Sequence, residues 1–385
     1  MTRIRPISLV ALAALLAACG SGVAAPTGSA AATSSGSAPG GSSSASRPAA
    51  TLAASPAPTP AQTLELGPAL TLTLDSSGPM VRSTDGPAGH PYALPAAAAR
   101  DAAGGYVLFI VWFGRDPGDQ IVTVARSDDG RTWQPGKAPI FTDLGMQLAN
   151  PGPIPSSALQ LDDGTWLLYG WAAHATDSRT FTSWRASAPK PEGPWTLDAE
   201  TVLSVGSATS WDSQAASVGV VHRTADGYAL WYEGQQPGSS IRGDVGYATS
   251  ADGLAWQKWN DPATTDAPFV DSDPAIRRGL CGPGSSQAIF QPEIRSAAGG
   301  GLLAVFGAFG PGRETMDLFG ATSSDGINWK CGSAIPILRP TDIPGSEGIH
   351  TITSMELADG TVELIIESLG DGRSELWRAT VEVAQ

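Results

Sequence analysis

The chain has little of what many enzymes rely on. It has three cysteines and four histidines in 385 residues. No CxxC, HExxH or EF-hand pattern occurs, so no dedicated zinc or calcium motif is indicated. Positive charge is scarce as well: 23 Lys and Arg against 37 Asp and Glu give a formal charge of −14 and a pI near 4.6. A nucleic-acid partner, whose phosphates such a surface repels, is excluded as a class. No segment after the first 62 residues carries a helical hydrophobic period.

What is present begins with an export signal. Residues 1–19, "MTRIRPISLVALAALLAAC", place Arg3 and Arg5 before an apolar run too short to span a bilayer as a mature helix. The segment ends in Leu16-Ala17-Ala18-Cys19, which resembles the bacterial lipobox. That resemblance implies cleavage before Cys19, lipidation of its sulfur, and a protein held on the outer side of the cell membrane. Each buried lipid CH₂ adds about 0.8 kcal/mol of membrane affinity. Residues 20–62 are almost wholly Ala, Ser, Gly, Pro and Thr, with Arg47 the one charge and no aromatic residue. They read as a flexible tether, because so little apolar surface cannot offset the entropy of ordering. Residues 63–385 are long enough for one large domain with a continuous core. In an oxidising compartment the two remaining cysteines, Cys281 and Cys331, would pair.

Internal repetition sets the fold class. "ATSADGLAW" (248–256) returns as "ATSSDGINW" (321–329), and "ARSDDGRTW" (125–133) shares the Asp-Gly-x-x-Trp spacing. A degenerate copy, "ASAPKPEGPW", ends at Trp195. Apolar runs flanked by Asp or Gly recur five times, as in "GGYVLFIVWFG", "DGTWLLYGW", "DGYALWYEG", "GGLLAVFGAFG" and "DGTVELIIESLG". Their length and their β-branched and aromatic content mark strands. Five similar all-β units of about 60 residues fit radial repetition, a five-bladed β-propeller. The last unit lacks its own turn segment, and "TLELGPALTLTL" (63–74) is the spare strand that would complete it. Asp-Gly then turns the chain between third and fourth strands, while Trp133, Trp195, Trp256 and Trp329 fill gaps between neighbouring blades.

These units, with "WYEG", "GYATSADGLAW" and "EGPW", resemble the furanosidase-type five-bladed propellers of the arabinanase, xylosidase and fructosidase superfamily over about residues 85–385. "SDDGRTW" also resembles the Asp-box of sialidases, but it is one residue short and no arginine triad is evident. The superfamily resemblance implies a site at one mouth of the channel, where a protonated acid serves the leaving oxygen and a base activates water, roughly 6.5–9.5 Å apart in an inverting enzyme. It also implies an Asp base on the first blade, a modulating Asp on the second and a Glu acid on the third. This chain departs from that plan. The first blade begins with His90 and Tyr92, and the second with Asn150 and Ser156.

The carboxylates that remain are Asp212 in "SWDSQAAS" and Glu293 in "IFQPEI", the candidate catalytic pair. Burial among apolar neighbours would raise Glu293 into the range of a general acid; an ion pair with Arg295 is the structural alternative. Tyr92, Trp211, Gln214, Gln291, Glu347 and His350 are candidate substrate contacts. Glu233 reads as structural, and Asp85 is indistinguishable from a turn residue. No cofactor is expected, apart from an axial cation near His350 that the resemblance allows. The functional expectation is a surface-anchored, monomeric glycoside hydrolase acting on carbohydrate. A non-catalytic glycan-binding or envelope interaction lipoprotein is the alternative that the missing first-blade Asp favours. Asymmetric insertions, 261–286 above all, are expected to shape specificity.

Overall fold

The computed structural model describes residues 66–384, except 117, 142, 147–151, 175–176, 237–242 and 313–314; the side chains of 174–180 are also outside the description. The export signal with Cys19, the tether 20–62 and Asn150 therefore lie outside the described residues. Within them no α-helix occurs, only strands and two 3₁₀ turns at Gly282–Ser285 and Pro340–Asp342.

The strands form three antiparallel four-stranded sheets and one nine-stranded sheet, which a single parallel link divides into two antiparallel runs, so that five units follow one another along the chain. Their first strands are Tyr92–Arg100, Ile154–Gln160, Ala215–Thr224, Ala288–Ser296 and Gly348–Glu356. Each touches the next, and the fifth touches the first, so the units close into a ring about a channel. A single parallel bridge, Ala215 to Phe181, links the second and third units. In the middle strands, such as Tyr106–Phe113 and Val362–Gly370, most residues are buried, because each sheet is covered on both faces by its neighbours. That is why they read as continuous apolar runs rather than alternating ones. The main apolar clusters span adjacent units in turn: first with second, second with third, third with fourth, fourth with fifth, and fifth with first.

The spare strand closes the ring as the sequence predicts. Leu70–Leu74 pairs antiparallel with Arg373–Val383, in register from Leu70 with Val383 to Leu74 with Ala379. Cys281 and Cys331 are disulfide-bonded, with Cα atoms 5.3 Å apart. The bond ties the insertion 261–286 to the outermost strand of the fourth unit, Trp329–Cys331.

The repeated turn is a clasp between units. In each of three copies a Ser two residues before the Asp joins it: Ser127 with Asp129, Ser250 with Asp252, and Ser323 with Asp325. The Asp325 carboxylate accepts the backbone N–H groups of Ile327 and Asn328, at 2.9 and 2.7 Å, and Ser323 Oγ accepts that of Gly326. The Gly adopts positive φ, +71° at Gly130 and Gly253 and +78° at Gly326. It also leaves room for the preceding unit: a Cβ at Gly326 would lie 2.7 Å from the Trp231 ring, and one at Gly253 would lie 2.3 Å from Tyr169 Oη. Trp231 Nε1 and Tyr169 Oη donate across the gap to the carbonyls of Gly326 and Gly253. Trp133 and Trp329 are buried between units, and Trp195 meets Phe109 of the first unit edge to face at 5.9 Å. The turn is architectural.

Candidate functional site

Every first strand carries a β-bulge near its middle: between Pro95 and Ala97, Pro155 and Ser157, Val218 and Val220, Phe290 and Glu293, and Ile349 and Ile352. A bulge puts extra backbone on one side of a strand and re-aims the side chains around it. Five of them at one level narrow the channel to a cavity of about 30 Å³, room for a water molecule. The first unit contributes Leu94, Pro95 and Ala96, and the second contributes Ser156 and Trp171. Glu233 comes from the third unit, Gln291 and Glu293 from the fourth, and Ile352 from the fifth.

The polar side of this cavity is tightly bonded. Gln291 is one of three non-glycine residues at positive φ among those described, at +44°. The conformation is held because its N–H donates to Glu233 while its side-chain oxygen accepts the Ile352 N–H at 3.1 Å. Glu293 is 5% exposed. Its Oε2 accepts the Ser354 N–H at 2.8 Å and the Ser354 hydroxyl at 2.7 Å, and Arg295 lies at 3.5 Å. Burial pushes its carboxyl up to about 7, although Arg295 and Ser354 pull the other way. Arg295 also donates to the carbonyls of Ile294 and Ser354. Beside it, burial and then the Arg295 charge hold His222 down at about 4, so that imidazole is neutral.

His350 belongs to a neighbouring group in the fifth unit. Its Nδ1 is 2.9 Å from Glu367, which also accepts the Thr351 hydroxyl at 3.2 Å. Burial draws the imidazole down, but the Glu367 carboxylate more than offsets it and the net shift is upward. Among the described residues no group of three or more His, Cys, Asp or Glu is arranged to hold a metal ion.

Two sequence-based assignments change. Asp212 is fully buried, but outside the axial cavity. Its carboxylate is bonded to Lys258, to Ser210 Oγ at 2.7 Å and to Tyr232 Oη at 3.2 Å. It is an anchor for the outermost strand of the third unit, not a partner of Glu293. Trp211, expected as a subsite wall, is 2% exposed. It stacks on Tyr232 at 5.7 Å and donates to the Ser272 carbonyl at 2.9 Å. The local reason is the insertion: its residues 268–273 fold back over this corner, covering what sequence reading placed at an open mouth.

Other candidates lie at or before the starts of first strands and do not line the axial cavity. Tyr92 opens the first strand and is half-buried, Gln214 donates its N–H to the Gln235 carbonyl, and Glu347 is exposed. His90 is bonded to Asp119 at 2.8 Å. Asp85 accepts the Arg82 N–H in a local turn. Glu233, read from sequence as structural, lines the cavity. The signal that could have found it, and Glu367 with it, is that both lie towards the ends of middle strands in the repeat.

No protein-family model matches the chain, and no curated protein matches it. Solved structures do. A family 117 glycoside hydrolase from the marine bacterium Zobellia galactanivorans superposes with a TM-score of 0.53 at 15% identity, over 84% of this chain and 92% of that one. A glycosyl hydrolase from Bacteroides ovatus gives 0.54 at 14% identity, over 82% and 93%. A structure from the family 130 mannoside phosphorylases, a family described as containing hydrolases of β-1,2 mannosidic linkages in Candida mannan, gives 0.56 at 15% identity, over 84% and 95%. The closed ring of antiparallel units described above is thus the glycoside hydrolase-like β-propeller fold.

Proposed function

We propose that this chain is an exported, carbohydrate-active propeller that hydrolyses glycosidic bonds at its axial cavity, with Glu293 as general acid and Glu233 as the facing carboxylate. The observation that carries the reading is that two glutamates from adjacent units line one water-sized cavity, and that Glu293 keeps its proton up to about pH 7. A buried acid of that strength can give its proton to a departing sugar oxygen near neutrality. Glu233 would take the proton of the attacking water as its oxygen bonds to the anomeric carbon and the glycosidic C–O bond breaks. Proton exchange with solvent would then return Glu293 to its acid form and Glu233 to its carboxylate. The cavity holds water rather than a whole sugar, so the glycan ring binds above it, towards Tyr92 and Gln214. Lipidation at Cys19 would hold the enzyme at the outer face of the cell membrane.

Hydrolysis of arabinan, xylan, fructan and galactofuranan, followed by product analysis, tests this. Turnover is expected in the parent and is expected to be lost in Glu293→Gln and Glu233→Gln with folding intact. Turnover that survives both substitutions would overturn the assignment.

A second reading, glycan binding without cleavage, rests on the first unit. It presents only Leu94, Pro95 and Ala96 to the cavity, where the superfamily resemblance requires an aspartate. Binding of a glycan by the parent with no product from any substrate would select it.

A further inference from the structure

Away from the channel, on the outer side of the third unit, lies an open groove of about 780 Å³. Three segments build it: residues 202–207 after the second unit, residues 255–260 of the third repeated turn, and Asp271 from the insertion. Its lining alternates apolar and hydrogen-bonding groups. Val205 is 42% exposed, the half-buried Trp256 ring forms part of the wall, and Gln257, Asn260 and Asp271 stand beside them.

Trp256 departs from its siblings in the repeat. Trp133 Nε1 donates to the Gly130 carbonyl at 3.2 Å and Trp329 Nε1 to the Gly326 carbonyl at 2.9 Å. The corresponding acceptor of the third turn, Gly253, takes the Tyr169 hydroxyl at 3.0 Å, and Trp256 Nε1 finds no acceptor among the described residues. Trp133 and Trp329 are buried, whereas Trp256, like Trp195 of the degenerate copy, is only half-buried. Trp256 still packs edge to face on Tyr169 of the preceding unit at 6.3 Å, but part of its ring stays exposed on the groove side, where the insertion supplies a second wall. That wall is fixed: Asp271 accepts the Ser207 N–H at 2.7 Å, and the bond lowers its carboxyl below the ordinary value, so it stays ionised. The floor is fixed as well, because Lys258 is tied to the buried Asp212 and lies over the Tyr232 ring at 5.1 Å.

An aromatic and aliphatic surface flanked by an amide, a carboxylate and hydroxyl groups is the chemistry that recognises a sugar ring: C–H faces on the apolar side, hydroxyls on the polar side. We infer that this groove is a second glycan-binding site, separate from the axial cavity, that holds a polysaccharide chain against the third unit. The inference rests on the carbohydrate reading of the axial site, and the two can fail separately.

The test is affinity electrophoresis of the purified chain through gels containing soluble arabinan, arabinoxylan or levan. The variants are Ser204→Arg, which fills the groove from an exposed position, Trp256→Ala, Trp256→Phe as a conservative control, and Glu233→Gln with Glu293→Gln. Retardation by at least one polysaccharide is expected to persist in the axial variants and in Trp256→Phe. It is expected to weaken about tenfold in Ser204→Arg and Trp256→Ala. Ser204→Arg keeps the test decisive should Trp256→Ala fail to fold. Retardation unchanged in Ser204→Arg but lost in the axial variants overturns the second site and leaves the axial reading standing. Absence of retardation in the parent with all three polysaccharides overturns the groove, while hydrolysis assays judge the axial site independently.

Discussion

Glu293→Gln should change how stability depends on pH, and the size of the change follows from where Glu293 sits. Its carboxyl is raised from 4.5 to about 7, chiefly by burial. Below pH 4.5 the folded and unfolded chains both carry the proton. Between 4.5 and 7 the unfolded chain releases it while the folded chain retains it, so folding loses stability as pH rises, and the loss is complete above 7. At 1.36 kcal/mol per pH unit the total is about 3 kcal/mol. Glutamine keeps an oxygen to accept from Ser354 and cannot ionise, so the variant escapes the loss. His222 has the opposite slope, losing stability as pH falls from 6.5 towards about 4, but both proteins share it and it cancels in the difference. Urea unfolding of parent and variant at pH 4.5, 6, 7 and 8 measures that difference. It should move by about 3 kcal/mol in favour of glutamine across the series. A difference flat to within about 0.5 kcal/mol would refute the claim that Glu293 is a buried, protonated acid.

Asp212→Ala removes a buried carboxylate and its charge-assisted bonds but leaves Lys258 beside the open groove, so it should cost about 1.5–3 kcal/mol in unfolding experiments and leave the pH profile of any glycan hydrolysis unchanged; an altered profile would return Asp212 to the active site. Asp325→Ala frees two backbone N–H groups of the clasp and should cost about 0.5–2 kcal/mol, measured by denaturant midpoint. Because the bonds that hold Asp325 at about 2 need its ionised form, their contribution fades as pH falls through 4 towards 2, and the variant and parent should converge there. Reducing Cys281–Cys331, which closes a separation of 50 residues, should lower stability by about 4 kcal/mol in the chain-entropy model; an unchanged midpoint in reductant, with free thiols counted, would show that the bond contributes nothing.

The all-β class, the radial repeat, the closing strand and the clasp residues were legible in the sequence because they are local. A middle strand covered on both faces must be apolar on both, as "YVLFIVWF" is, and a turn at positive φ must use glycine, as Gly130, Gly253 and Gly326 do. The cysteine pairing was expected from the count of two cysteines beyond Cys19, on the expectation of export. What the tertiary structure decided was which carboxylates meet. Asp212 and Glu293 look alike along the chain, each a carboxylate beside apolar residues close to a first strand, yet Asp212 is buried against Lys258 while the bulge at Phe290–Glu293 brings Glu293 into the cavity that Glu233 lines from a middle strand. Glu233 and Glu293 are 60 positions apart on strands of different units. Side-chain direction at a bulge, and the loop that covers a neighbouring unit, depend on contacts between segments distant in sequence, which no local pattern encodes.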